Sequence, residues 1–369
     1  MASDYAVIGG GVVGLSVAYG LLRRGLTVTV LDGGDGSHRA SRGNFGLVWV
    51  QSKGMNQPLY ARWSQRSAAA WADHAAELAE LTGRHLGLEQ NGGYDLHFSE
   101  ETLEQTVANY EILKAKLDGD YPYEVLGANA LKREEPHIGP KVAGAILHHQ
   151  DGHANPLRLL TALADGVRRK GGTVLTGKTV TGVTRGDEFV VHCDDGTAVG
   201  AGKVVLSAGL GAITLGPKLG FKAPVRPQRG QVLITEKLPK MINRPSLVAR
   251  QVDEGGIQIG ATNEEVGFND QVTQPGLSGL AAQAVTAYPA LAKAQLVRSW
   301  GALRILSPDG LPIYQESPEM PGAFLVTCHS GVTLAPLHAS ILADWIDDTA
   351  NAPDLEAFDE NRFALSDAA

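Results

Sequence analysis

The spacing of apolar residues changes period several times along the chain, and each change predicts an element. Tyr5–Ile8 is a short apolar run that reads as a strand. Glycines follow, and Val13, Val17 and Leu21 then recur at helical spacing up to Gly25, which predicts a helix that ends there. Thr27–Leu31 reads as a second strand. The polar, glycine-rich stretch GGDGSHRASRGNFG reads as an ordered loop. Pro58 opens a predicted long helix with Leu59, Trp63, Ala70, Leu78 and Leu81 on its apolar face and Gly83 as its stop. His85–Ser99 predicts two strands around the turn Asn91-Gly92. Helices are expected over Glu101–Leu117 and Leu126–Glu135, the second stopped by Pro136, and a strand over Val142–His149. Asn155 is a cap and Pro156 a first residue for a helix over Leu157–Lys170.

Further strands are predicted at Thr173–Thr176, Phe189–Cys193, Lys203–Leu206, Val225–Thr235, Gly256–Thr262, Leu296–Ile305 and Ala323–Thr327. A helix is predicted over Pro275–Tyr288, a terminal helix after Thr333 to about Asp347, and a loose tail after Ala350. Strands alternating with helices and then grouped together place the chain in the α/β (α+β) class.

The first strand, helix and second strand frame Gly9, Gly11 and Gly14 in a G-x-G-x-x-G pattern. The three glycines allow, in turn, a tight turn, bare backbone beside a pyrophosphate, and close helix–strand packing. The amides of a helix N-terminus attract phosphate. Asp32 closes the second strand where a carboxylate accepts from ribose hydroxyls, and Gly33 follows it. These features point to a dinucleotide, against an ordinary glycine-rich βα turn, and leave FAD and NAD both open. In the loop beyond, Arg39, Ser41, Arg42, Gly43 and Asn44 offer donors and bare backbone to a long ligand; the alternative is a solvated surface loop. A second such fingerprint is absent. Gly200-Ala201-Gly202 precedes a strand, and Gly209-Leu210-Gly211 lacks its third glycine.

Composition narrows the classes. The 369 residues are 43% hydrophobic with 45 glycines, as expected of a loop-rich enzyme of one large or two intertwined domains. A net charge of −8 argues against a nucleic-acid partner but permits a small anionic substrate in a local basic pocket. Cys193 and Cys328 lack metal-ligand spacing and suit a reducing cytoplasm. No apolar run is long enough to span a bilayer, and the first strand begins too early to leave room for a signal peptide, so no membrane association is expected. His148, His149, Asp151 and His153 lie across a strand end and turn, without the helical pairing a metal site would use, and no metal is expected.

VIGGGVVG with Asp32, SRGNFG, DGHANP before a helix, VVLSAGLGA, RPQRGQ, IQIGAT, WGALRILSPDGLPI and HSGVTLAP occur in that order. Together they resemble the D-amino-acid oxidase, glycine oxidase and sarcosine oxidase family of flavoenzymes over essentially the whole chain. Within it, the sequence is most similar to glycine oxidase, iminodiacetate oxidase and hydroxyproline or opine dehydrogenase β-subunit members, the last through NFGLVWVQSKG. The resemblance implies noncovalent FAD in a Rossmann-like domain built from residues 1–84, 145–222 and 296–369. It implies a discontinuous substrate domain on an antiparallel sheet, from residues 85–144 and 223–295.

By matching motifs it also implies the cofactor contacts. Gly9, Gly11, Val12, Val13 and Gly14 would hold the pyrophosphate and Asp32 the adenosine ribose. Ser41 to Gly46 and Leu47 would follow the ribityl chain and ring. Val180 would pair with adenine, and Ala208 and Gly209 would pack near the cofactor. Gly331, Val332, Thr333 and Leu334 would face the pyrimidine edge of the ring. Ala302 stands where covalent members carry the flavin-linked cysteine, and Cys328 reads as a small packed residue.

The implied chemistry is hydride transfer from the substrate Cα to flavin N5, with hydrolysis of the imine to glyoxylate or another oxo acid and an amine. Such a substrate needs a planar cation for its carboxylate. Arg304, at the end of an apolar strand, matches that position beside the ring; the alternative is an ion pair with Asp309. Arg250 and His329 are candidates for a second carboxylate or hydroxyl, or are satisfied structural groups. The family's active-site tyrosine aligns with Ser246. Two acceptors stay open. Molecular oxygen, the first reading, would give peroxide in an oxidase of glycine, sarcosine or iminodiacetate, and the assembly stays open between a homo-oligomer and a subunit of a larger enzyme. Partner subunits would take the electrons in a hetero-oligomeric D-hydroxyproline or opine dehydrogenase.

Overall fold

A computed structural model describes residues 2–34, 40–348 and 353–363. Its centre is a sheet in which Ser3–Ile8 lies between Val28–Asp32 and Ala198–Leu206, all parallel. Thr173–Thr176 extends it on one side and Ala323–Thr327 on the other, again parallel, with Ile313–Glu316 antiparallel at the edge. Phe189–Cys193 and Val180–Arg185 continue as an antiparallel ribbon from the long strand 198–206. The neighbours of the first strand leave it in opposite directions. A crevice therefore opens at its carboxyl end, where Gly9 begins the turn into the helix Val12–Arg23. Tyr5, Val7, Val17 and Leu21 are buried between sheet and helices, as the apolar spacing requires.

A second, antiparallel sheet carries Arg226–Lys237 between Leu296–Leu306 and Gly256–Gly260, with Ala249–Gln251 at its edge. Leu296–Leu306, in a segment expected with the cofactor domain, pairs with Arg226–Lys237 along its length. Gly93–His97, Gly144–His148 and Glu124–Gly127 form a smaller antiparallel sheet.

Several elements differ from expectation. The long helix after Pro58 is two, Pro58–Ala69 and Trp71–Thr82, broken at Ala70. Around the break, side chains claim the backbone: Gln90 Nε2 donates to the Ala68 carbonyl, and Ser67 and Trp71 donate to that of Thr333. The hairpin around Asn91-Gly92 does not form. Only Gly93–His97 is a strand there, and Glu89 instead bridges to His153, because partners distant in sequence satisfy this backbone. Leu126 lies in a strand, and the helix after it spans Ala128–Glu134. The terminal helix is also two, Gly331–His338 and Ile341–Asp347.

The expected loose tail is docked where it is described. Phe358 is fully buried against Tyr60, Trp63 and Tyr314, and burial of such a ring stabilises by about 1.5–3 kcal/mol. Buried Glu360 accepts from the backbone N–H groups of Lys222 and Ala223. Asn155 caps its helix as expected, its Oδ1 accepting from the N–H groups of Leu157 and Arg158. Among the described residues, no helix is long and apolar enough to cross a membrane.

Candidate active site

At the crevice, the glycines are required by contact. A Cβ on Gly14 would lie 2.0 Å from the Gly9 carbonyl oxygen, and one on Gly9, whose φ is +115°, 2.4 Å from that of Ser207. Ala208 and Gly209 thus border the same turn. Asp32 accepts from Gly10 N–H at 2.6 Å and from Gly34 N–H at 2.7 Å, which fixes the carboxylate at the end of its strand. The N-cap of helix Val12–Arg23 is Gly11, which has no side chain, and no acid lies in the first turn. Ser41 Oγ accepts from Val12 N–H, tying the loop to that turn. Gly33 follows the second strand and Val180 opens the strand Val180–Arg185; both lie outside the lining of the cavity described next. Arg39 lies outside the described residues, and Arg42 is exposed.

A cavity of about 410 Å³ continues from this turn between the loop and the second sheet. Val12, Val13, Ser41, Gly43, Asn44 and Leu47 line one wall, with residues Cys328 to Thr333 at its base. The opposite wall is one face of the antiparallel sheet. Side chains alternate with period two, so Ala302 and Arg304 share a face, and Gly230 and Gln228 stand across from them in register. Close approach is built in: a Cβ on Gly43 would meet that of Ala302 at 2.4 Å, and Trp300 Nε1 donates to the Gly43 carbonyl.

Arg304 lies across Gly230, where a Cβ would come 2.6 Å from its guanidinium. It donates to the carbonyl of Thr262 at 2.8 Å and more weakly to Gln228 Oε1 and the Arg229 carbonyl. These partners are neutral, and among the described residues no carboxylate is within ion-pair distance of it. Asp309, its expected alternative partner, is engaged by Arg362 instead. Glu264 is held below the usual carboxylate range, at about 2, by its hydrogen bond from Arg229, and stays with that residue.

The other candidates separate. His329 lines the cavity and its ring is exposed there. Desolvation by the surrounding protein, then the charges of Lys53 and Arg304, shift its pKa downward and favour the neutral ring. Arg250 is buried outside the cavity lining. Its guanidinium contacts His153 Nδ1 at 2.8 Å, lies over the Phe45 ring and packs against Gly46. Burial lowers its pKa to about 9. Ser246 is also buried, its hydroxyl closing a local turn with Val248 and Ala249, while the next residue, Leu247, reaches the cavity. The histidine-rich turn disperses. His149 pairs with Glu124 at the surface, His153 with Arg250, and Asp151 accepts from Val50 N–H and Gln51. Among the described residues no group of side chains could hold a metal ion.

Three cavity residues carry no periodic signal in the sequence. Trp49 and Lys53 come from the segment after Leu47, which Asp151 and Thr333 anchor by hydrogen bonds to its backbone. Asn263 follows the last residue of IQIGAT. Gln228 and Gly230 could have been found by reading the even-numbered alternation of RPQRGQ against that of WGALRIL.

The cradle suits a long dinucleotide. Its turn accepts no Cβ, and neither of its two helices, Val12–Arg23 and Gly331–His338, is capped by its own N-cap side chain; Ser41 takes the N–H of Val12, and other first-turn N–H groups are left for a ligand's oxygens. Cys328 is buried and its thiol pushed up to about 12, so it is protonated rather than nucleophilic.

Comparison with known proteins agrees with this geometry. The family model described as DAO, FAD dependent oxidoreductase, matches residues 4–345. The chain is 40% identical over 367 residues to an opine oxidase subunit of Rhizobium meliloti, covering 99% of each. It is 27% identical over 367 residues to glycine oxidase of Geobacillus kaustophilus, covering 97% of each. The crystal structure of glycine oxidase from that organism superposes with a TM-score of 0.90 at 26% identity, over 97% of this chain and 98% of the other. Iminodiacetate oxidase from a Chelativorans species shares the fold, with a TM-score of 0.84 at 23% identity over 96% and 98% of the two chains.

Proposed function

Because the chain belongs to the DAO family of FAD-dependent oxidoreductases, which act on amino-acid and amine C–N bonds, we propose that it oxidises a secondary-amine amino acid of the opine type as the catalytic subunit of a larger enzyme. FAD, when bound, supplies the acceptor for the hydride that leaves the substrate Cα. The rest is the work of this chain's side chains. Arg304 presents its guanidinium to the cavity without an acidic partner, and this observation carries the reading. It would hold the substrate carboxylate by two parallel hydrogen bonds and so fix the Cα–H bond's direction. His329, neutral at physiological pH, offers a ring nitrogen to the substrate amine. The uncapped N-terminus of Gly331–His338 would favour negative charge developing at the base of the cavity. Loss of hydride and a proton leaves an imine, and water divides it into a 2-oxo acid and an amine.

The same proposal assigns the crevice residues Gly9, Gly11, Gly14 and Asp32 to the cofactor's pyrophosphate and ribose, and the two-domain division to cofactor and substrate. The likeness to a protein named as one subunit of an opine oxidase favours electron transfer to a partner. The likeness to glycine oxidase supports a second reading, an oxidase of glycine, sarcosine or iminodiacetate that uses oxygen. Anaerobic mixing of the holoenzyme with opines and small amino acids tests the substrate, since turnover bleaches the flavin. Peroxide on aeration would support the oxidase, and reoxidation only by a dye acceptor the partner-linked enzyme. No bleaching by any amino acid would overturn both.

A further inference from the structure

We propose that Lys53 anchors a second carboxylate of the substrate, so that the cavity selects secondary amines bearing two acid groups, one on Arg304 and one on Lys53. The proposal deepens the function given above and rests on it. Lys53 lines the same cavity as Arg304. It donates to Ser330 Oγ and, at 3.5 Å, to Tyr60 OH, with its ammonium 5.7 Å from the Tyr60 ring centre. An ammonium group has three donors, and these contacts use two. As with Arg304, the partners are neutral, and among the described residues no carboxylate lies within ion-pair distance. Asp151, an acid close enough to feel the charge of Lys53, spends its oxygens on Val50 N–H and Gln51.

His329 lines the same cavity as both cations and feels the charge of each. Two cations without carboxylate partners in one cavity favour the arrival of an anion. A monocarboxylate answers one of them, and a dicarboxylate answers both. Lys53 is also held in place rather than trailing into solvent. Its segment is fixed by Asp151 at Val50 and by Thr333 Oγ1, which accepts from Trp49 N–H.

The test titrates the holoenzyme with unreactive anions, succinate as the dianion and acetate as the monoanion, following flavin absorbance and thermal shift. Loss of one charged hydrogen bond corresponds to about 10–100-fold in affinity. Lys53→Gln should therefore raise the succinate Kd by about tenfold or more relative to the acetate Kd, and Lys53→Arg should restore most of the difference. The same selectivity should appear in kcat/KM for dicarboxylate against monocarboxylate secondary amines, in KM rather than kcat. Equal loss for both anions would overturn the assignment. So would failure of succinate to bind the wild type, or an effect confined to the rate at which reduced flavin is reoxidised. If no secondary amine bleaches the flavin while succinate affinity still depends on Lys53, the anchor stands and the assigned reaction falls.

Discussion

Replacing Arg304 probes the carboxylate anchor without touching the cofactor turn. The side chain crosses Gly230 and uses part of its fork on the Thr262 carbonyl, so its position is preset and its remaining donors face the cavity. A charged hydrogen bond contributes about 1.5–3 kcal/mol. Lysine retains the charge but offers a single point of contact, so Arg304→Lys should lose about one such bond and lower kcat/KM about 10–100-fold. Arg304→Ala removes both bonds, for a loss of about 10²–10⁴-fold. It leaves the Thr262 carbonyl at the edge of the cavity, where a water molecule can replace the missing donor, so folding should survive. The assay is anaerobic flavin bleaching in a stopped-flow instrument, with the flavin-to-protein ratio and visible spectrum measured on the same samples. Near-normal bleaching by a variant with full flavin content would refute the anchor. Loss of flavin in parallel with loss of rate would show that Arg304 serves the cofactor instead.

Gly14→Ala should yield apoprotein or unfolded chain, because its Cβ would lie 2.0 Å from the Gly9 carbonyl; purification with stoichiometric yellow cofactor would contradict this. Acid precipitation should release all flavin to the supernatant, since Ala302 offers no thiol and that of Cys328 is protonated and buried; colour in the pellet would reverse the assignment. Stability should fall as pH drops from about 6.5 towards 4. Burial lowers His74 and His148 to about 4 and His153 and His338 to about 3. In the unfolded chain these histidines take up protons near pH 6.5. Their contribution is therefore complete above that pH and is lost as the pH falls towards the folded values. Asp151 and Glu135, raised to about 7 by burial, act in the opposite sense over the same range, but they are outnumbered. A Tm that rises on acidification from pH 6.5 to 4.5 would contradict the argument.

The sequence alone determined whatever depends on local spacing. Gly9, Gly11 and Gly14 between two short apolar strands specify a turn that sterics permit in few other ways, and Asp32 falls at the end of the second strand because strand length sets it there. Asn155 and Pro156 announce a helix start through groups only a few residues apart. Where distant segments compete for the same backbone, local signals failed. Gln90, Ser67 and Trp71 surround the break in one apparent helix, and His153 replaces the local hairpin partner of Glu89. Phe358 and Glu360 look like tail until the ring cluster and two backbone amides that receive them are assembled.

The site divides in the same way. Arg304 reaches the cavity from the strand in which its motif stands, whereas Ser246, the position singled out by alignment, turns inward to its own loop and its neighbour Leu247 lines the cavity instead. Arg250 and Lys53 are equally charged in sequence. Only packing decides that Arg250 is sealed behind Phe45 while Lys53 reaches the cavity, because burial is a property of what surrounds a residue and not of the residue itself.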